Sequence, residues 1–229
     1  MYFDYYYLVL VVPTIILSLW AQYMVKSTFA KYSRVESQSR ITGAAAAQYL
    51  MRYSGISDVQ IRAVRGSLTD NYNPGNKTLN LSEPVYGRTS IAAVGVAAHE
   101  TGHAIQHKGG CGPLVLRSTL VPIANIGSNA GPALAVLGLI TGMQFLLQLG
   151  ILLFAGAVLF YLVTLPVEFN ASIRAVKILE QSGTLTRDEL SGVKKVLTAA
   201  AMTYVASALT AIANLLRLIL INNNRRRRY

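Results

Sequence analysis

The sequence predicts a mainly α-helical membrane protein, with transmembrane helices arranged around one small α+β domain. Three observations carry this. Only 14% of the 229 residues are charged and 52% are hydrophobic, against roughly 25% charged in ordinary soluble domains; the mean hydropathy is +0.39. Several apolar runs reach the about 20 residues that a bilayer crossing takes. Between the first two of them, residues 26–113 hold ten Lys/Arg and five Asp/Glu, a water-facing composition.

The formal net charge of +11 raises nucleic acid as a partner. The basic residues, however, lie beside apolar segments and end in a terminal RRRR, the placement of membrane-proximal charge. A lipid bilayer is expected and nucleic acid is not. Cys111 is the single cysteine, which excludes an intrachain disulfide and a cysteine-based zinc cluster.

Residues 1–25 read as a retained transmembrane anchor. The start is aromatic and acidic rather than basic, and the apolar run from about Tyr7 to Val25 is too long for a signal-peptide core. Tyr5, Tyr6, Tyr7, Trp20 and Tyr23 lie near its ends like interfacial belts. Residues 26–113 form the small domain. In it TGAAAAQYLMRYSG predicts a helix capped by Thr42 or Ser39 and stopped by Gly55. VQIRAVR, 59–65, alternates as a strand does, and KTLNLSE, 77–83, is a second, shorter one. Gly55, Gly66 and Asn73–Gly75 mark turns. TSIAAVGVAAHETGHAIQHKGG predicts one helix, capped by Thr89 or Ser90 and ended by Gly109–Gly110.

Residues 114–165 contain two apolar runs, about 119–142 and 144–165, separated only by TGMQ, hence an antiparallel transmembrane hairpin. Residues 166–186 predict a helix with Pro166 near its start and Gly183 past its end. In the last segment, 187–229, Thr203, Ser207, Thr210, Asn214 and Arg217 share one face of an apolar helix. That helix spans the membrane with its stripe against protein, or lies on the membrane surface; a basic tail follows.

All three histidines of the chain fall within nine residues, in HETGHAIQH, 99–107. On a helix His99 and His103 stand one turn apart on one face and can aim imidazole nitrogens at one ion. Glu100 is then placed to act as a base on water at that ion rather than as a ligand. This is the HExxH pattern of metalloproteases, and it predicts a zincin-like catalytic domain holding one Zn2+ per chain. The bland reading is an Ala-rich helix with packed or surface histidines. His107 continues the same face but lies about 6 Å beyond His103 along the axis. Position 109, where a metzincin would carry its third histidine, is glycine.

The third ligand is therefore expected among the downstream acids Glu168, Glu180, Asp188 and Glu189. Glu168 is the best placed, because it follows directly on an apolar span, where a charge is costly unless used or paired. A capping acid in a first helical turn is the structural alternative. If Glu168 shares the ion, residues 113 and 166 lie on one side of the membrane. The chain between them must then cross an even number of times, as a hairpin does.

The stretches LTDNYNPGNKTLNLSEPVYGRTSIAAVGVAAHETGHAIQH, LVPIANIGSNAG and LPVEFNASIRA resemble the YugP-like proteins of bacterial membranes, classed as neutral zinc metallopeptidases. The likeness runs from about Thr42 to Arg217. More distantly the chain is similar to the HtpX and CAAX-prenyl membrane proteases, which are gluzincins. That resemblance implies that Glu168 completes the zinc site. The HtpX-type pattern has an aspartate four residues after this glutamate; Ser172 stands there in this chain, leaving Asn170 as a substitute for steadying a zinc histidine. The resemblance also implies that Leu79, Asn80 and Leu81 belong to an edge strand beside the zinc helix. An extended substrate would add to such an edge; the bland alternative is a strand that only completes the sheet. Arg174, Tyr86 and Tyr204 are candidates to stabilise the oxyanion. Asn125 and Asn129, one turn apart in the first hairpin span, line the site or hold the hairpin together.

The function so implied is an integral-membrane zinc endopeptidase acting on membrane-associated or misfolded proteins. The alternatives are a non-catalytic zinc-binding assembly or adaptor protein, and a small membrane protein with a fortuitous motif. Lys26, Lys31, Arg34 and Arg40 follow the first span and Arg174, Lys177, Lys194 and Lys195 follow the hairpin, which predicts a cytoplasm-facing site in a multi-pass cell-membrane protein. Substrate identity, a membrane-protein partner and a homo-oligomeric state are not legible.

Overall fold

The structure, a computed structural model, describes residues 5–226, with side chains to Asn224. The acidic residue of the N-terminal start, Asp4, and the side chains of the terminal RRRR lie outside the described residues. The described chain is mainly helical. A π-helical turn, Tyr7–Val11, runs directly into helix α1 (Val12–Tyr32), followed by α2 (Gly43–Tyr53). Strands β1 (Gln60–Val64), β2 (Asn71–Asn73) and β3 (Thr78–Ser82) come next, then the short α3 (Glu83–Tyr86) and α4 (Ile91–Lys108). Three long helices complete the described residues: α5 (Gly112–Thr141), α6 (Gln144–Gln181) and α7 (Arg187–Arg226).

Four helical stretches are long and apolar enough to cross a membrane by length and composition: Tyr7–Tyr32, Gly112–Thr141, Gln144–Gln181 and Arg187–Asn224. The chain packs as two compact units. One takes the chain up to Gln22, Leu116–Pro166 and the chain from Met202; the other takes Tyr23–Val115 and Val167–Ala201.

In the first unit α5 and α6 form a hairpin turned at Gly142, whose φ of +76° only glycine adopts without strain. A Cβ on Gly131 would meet the Phe154 backbone nitrogen at 2.9 Å, so bare backbone at this position lets the two helices touch. Two members of the polar stripe of α7, Thr210 and Arg217, turn toward α1 and the turn before it. Thr210 and Ser18 hydroxyls lie 3.1 Å apart, and the Arg217 guanidinium stands 5.2 Å from the Tyr7 ring centroid.

In the second unit α4 is the central element and is buried along most of its length. One flank packs Ile91, Val94 and Ala98 against α2, the end of α6 and the start of α7. The other packs Ala93, Ala97 and Ala104 against Leu79 and Leu81 of β3 and Met51 of α2. Caps fall where short polar side chains were expected: the Thr42 hydroxyl accepts from Ala45 N and the Ser90 hydroxyl from Ala93 N, each at 3.2 Å. The helix end at Gly109–Gly110 has Gly110 at φ +63°.

Two expectations change. The strand order is β1-β3-β2, with β3 parallel to β1 and antiparallel to β2. Strand β3, with Leu79, Asn80 and Leu81, is thus central and not an edge. The turn at Asn73–Gly75 folds the three-residue NYN back on it, a strand too short to show alternation. Pro166 does not start a new helix either, because α6 runs through it from Gln144 to Gln181. An interior proline removes one N–H and crowds the preceding turn, and long apolar helices with packed neighbours tolerate it.

Candidate metal centre

Helix α4 presents His99 and His103 on one face, and α6 brings Glu168 up to them. The close approach is made at Gly102: a Cβ there would stand 2.5 Å from the Ala171 carbonyl oxygen. The glycine inside HETGH is therefore the seat of the second helix. Glu168 Oε2 lies 3.2 Å from His99 Nε2 and 3.5 Å from His103 Nε2. One donor atom from each of the three residues lies within 4.8 Å of the other two. The group is enclosed: Glu168 and His103 are buried, and His99 keeps 13% of its side chain exposed.

The outer ring nitrogens are occupied. Ser172 Oγ lies 3.1 Å from His99 Nδ1. Gln106 Oε1 lies 3.0 Å from His103 Nδ1, and Gln106 Nε2 donates to Val167 O at 2.9 Å and to Asn170 Oδ1 at 3.0 Å. Those two acceptors fix the amide orientation, so Gln106 Oε1 faces the ring and His103 carries its proton on Nδ1. The Nε2 lone pair is left for the point shared with Glu168. Arg174 Nε donates to the same Asn170 Oδ1 at 2.7 Å and anchors the relay at its far end.

Glu100 sits beside this cluster, buried. Burial pushes its carboxyl up to about 7, the nearby Glu168 and Asp70 push the same way, and His99 and the Tyr72 backbone N–H oppose them. The β2 strand therefore runs alongside. The Tyr72 hydroxyl lies 2.7 Å from His107 Nδ1, which places His107 against the sheet and outside the three-donor group.

The other sequence candidates are dispersed. Leu79 and Leu81 are fully buried core, and Asn80 bonds Asn71 Oδ1 at 3.0 Å. Tyr86 ends α3, exposed. Asn129 Nδ2 donates to Asn125 O at 2.8 Å along α5; these two and Tyr204 belong to the first unit. Gln106 is the residue that sequence reasoning missed. The signal was available in its position, one turn after His103 on the same helix.

The chain matches the family described as "Putative neutral zinc metallopeptidase" over residues 7–223. It belongs to that family. It is also 48% identical over 220 residues, 96% of this chain and 98% of the relative, to the "Putative membrane protease YugP" of Bacillus subtilis (strain 168). No solved structure matches. Zinc is the cofactor of this metallopeptidase family member, and the cluster fits it. Two donors about 2.0 Å from a tetrahedral ion lie roughly 3.3 Å apart; the two histidine–glutamate separations of 3.2 and 3.5 Å bracket that value. Two imidazoles and one carboxylate are the donor set of a zinc site that keeps a position open.

Proposed function

We propose that the chain is an integral-membrane zinc endopeptidase of gluzincin type, its second unit a zincin-like domain, which cuts membrane-associated or misfolded proteins. The observation that carries the reading is the convergence of His99, His103 and Glu168 from two helices, with Glu100 alongside. In this reading the three residues hold the ion, and Ser172 and Gln106 keep the two imidazoles in the required orientation. Bound zinc supplies a Lewis acid that polarises a carbonyl and makes water acidic enough to lose a proton near neutral pH.

Glu100 takes that proton as the attack on the scissile carbonyl proceeds and returns it to the leaving amine. Enclosure of Glu168, His103 and Glu100 keeps bulk water from competing, and the partly exposed His99 marks the direction of entry. An extended substrate would align with β2 rather than β3, because β3 is hydrogen-bonded on both sides and β2 lies against Glu100 and His107.

The deciding experiment replaces Glu100 by glutamine and measures both zinc content and cleavage of an unfolded protein substrate. The variant is expected to keep one zinc per chain and to lose cleavage. Cleavage at the native rate would remove Glu100 from the reaction, and absence of zinc from the native protein would remove the reading altogether.

A further inference from the structure

Where α1 and α7 leave the apolar part of the chain, they enclose an open groove of about 500 Å³. Helix α1 lines it with Met24, Thr28, Lys31 and Tyr32, at spacings of four, three and one that keep them on one face. Helix α7 answers with Ser191, Lys194, Lys195 and Thr198, again one face. The two helices meet closely at Gly192, where a Cβ would stand 2.8 Å from the Tyr32 ring. That contact closes the groove beside the lysines.

Lys31, Lys194 and Lys195 are exposed, and none has an ion-pair partner among the described residues. Three ammonium groups around one recess repel one another, and four hydroxyls, of Thr28, Tyr32, Ser191 and Thr198, stand beside them as neutral donors. An anion with several oxygens satisfies both sets at once. The acids nearby do not supply it. Glu189 is held by the Gln38 and Thr186 backbone N–H groups, each at 2.7 Å, and Asp188 lies one turn before Ser191, outside the lining.

Depth decides what kind of anion. A crossing of about 20 residues that begins at Tyr7 ends near Lys26. Thr28 and Lys31 then stand at headgroup level and Met24 at the edge of the hydrocarbon. On α7 the run from Val196 to Ile221 has Arg217 as its one charged residue, so Lys194 and Lys195 mark the same level. Basic recesses between helices at that level hold the phosphates of anionic lipids.

We propose that this groove binds the phosphate headgroup of an anionic phospholipid, with Lys31, Lys194 and Lys195 as its cationic ligands. The site is independent of the metal centre and of any catalytic reading.

The test uses the full-length protein in neutral detergent. Melting is followed, and bound lipids are counted by native mass spectrometry, with phosphatidylglycerol, phosphatidylcholine or inorganic phosphate added. Phosphatidylglycerol is expected to bind and raise the melting temperature, and phosphatidylcholine to do neither. Each of K31Q, K194Q and K195Q is expected to weaken phosphatidylglycerol about five-fold, and the triple variant to lose the preference over phosphatidylcholine. A control triple, R62Q/R65Q/R88Q, removes equal charge from exposed positions outside the groove and is expected to keep it. Native preference in the groove triple would overturn the proposal. So would equal binding of inorganic phosphate, which would make the groove a site for free anions. If the triple melts poorly, mass spectrometry of the three single variants decides instead: weakened phosphatidylglycerol in each supports the site, and native binding in all three overturns it.

Discussion

His103 Nδ1 donates to Gln106 Oε1 at 3.0 Å, and the same Gln106 amide donates through Nε2 to Val167 O and Asn170 Oδ1 on α6. One side chain thus fixes a tautomer on α4 and ties that helix to the one carrying Glu168. Replacing Gln106 with leucine keeps the volume and deletes all three bonds. Outer partners of metal histidines are worth 10–100-fold in metal affinity, and zinc binding by Gln106→Leu is expected to weaken within about that range. Competition with a chromogenic chelator measures it. An unchanged affinity would show that His103 needs no such partner.

Ser172 is the corresponding partner of His99, at 3.1 Å from Nδ1. A hydroxyl both donates and accepts, so it steadies the ring without dictating the tautomer. Ser172→Ala is therefore expected to cost less zinc affinity than Gln106→Leu, roughly tenfold or below. The reverse order would make Ser172, rather than Gln106, the main orienting partner.

Gly102 sets how near α6 comes to α4. A Cβ there meets the Ala171 oxygen at 2.5 Å and its Cα at 3.3 Å, both backbone atoms that cannot rotate away. Gly102→Ala is expected to destabilise the fold by about 1–3 kcal/mol, the usual range for overpacking. It should also lower zinc affinity, since Glu168 stands one helical turn before Ala171. Thermal melting with and without zinc separates the two effects. Native melting in both conditions would mean that the helices are not in contact there.

The three donors come from elements about 65 residues apart in the chain, which the unfolded state does not hold together. Zinc should bind the folded form and stabilise it by about 4 kcal/mol at a concentration 1,000 times its dissociation constant. Removing the metal with a chelator is expected to lower the melting temperature and restoring zinc to raise it. His103→Ala should melt at one temperature in either condition. A melting temperature indifferent to zinc in the native protein would argue against Glu168 and the two histidines sharing one ion.

The parts of this molecule that were legible in its sequence are those whose signals are local. The caps at Thr42 and Ser90, the glycine stops and the long apolar runs each follow from a few neighbouring residues, and the structure places them accordingly. The meeting of Glu168 with the two histidines was reached by elimination among four downstream acids, with the resemblance to gluzincins pointing the same way. What was lost depends on pairing at a distance. The three residues of β2 carry no periodicity, so β3 read as an edge. Pro166 looked like a beginning because a local rule was applied where helix α6 is sustained by its neighbours. Gln106 stood in plain view, but a glutamine's partners are chosen by the other helix.

The face on which the centre lies can be tested from the exposed loop after β1. Lysine and arginine cluster beyond the ends of the apolar runs that adjoin the second unit, at Lys26, Lys31, Arg34, Arg174, Lys177, Lys194 and Lys195. The α5–α6 turn at Gly142–Met143 has no basic residue, although Arg225–Arg228 follow the α7 run; on the usual charge rule the larger, first group is expected in the cytoplasm. Asp70 is a poor labelling position, since its carboxylate accepts from Ser82 N at 2.7 Å and Ser82 Oγ at 2.8 Å. Ser67 is exposed, and Met143 at the hairpin turn is 54% exposed. In a Cys111→Ser background, Ser67→Cys is expected to react with a membrane-impermeant maleimide only after permeabilisation. Met143→Cys is expected to react in intact cells. The opposite pair of results would put the metal centre on the outer face and leave the basic residues at odds with the usual charge rule.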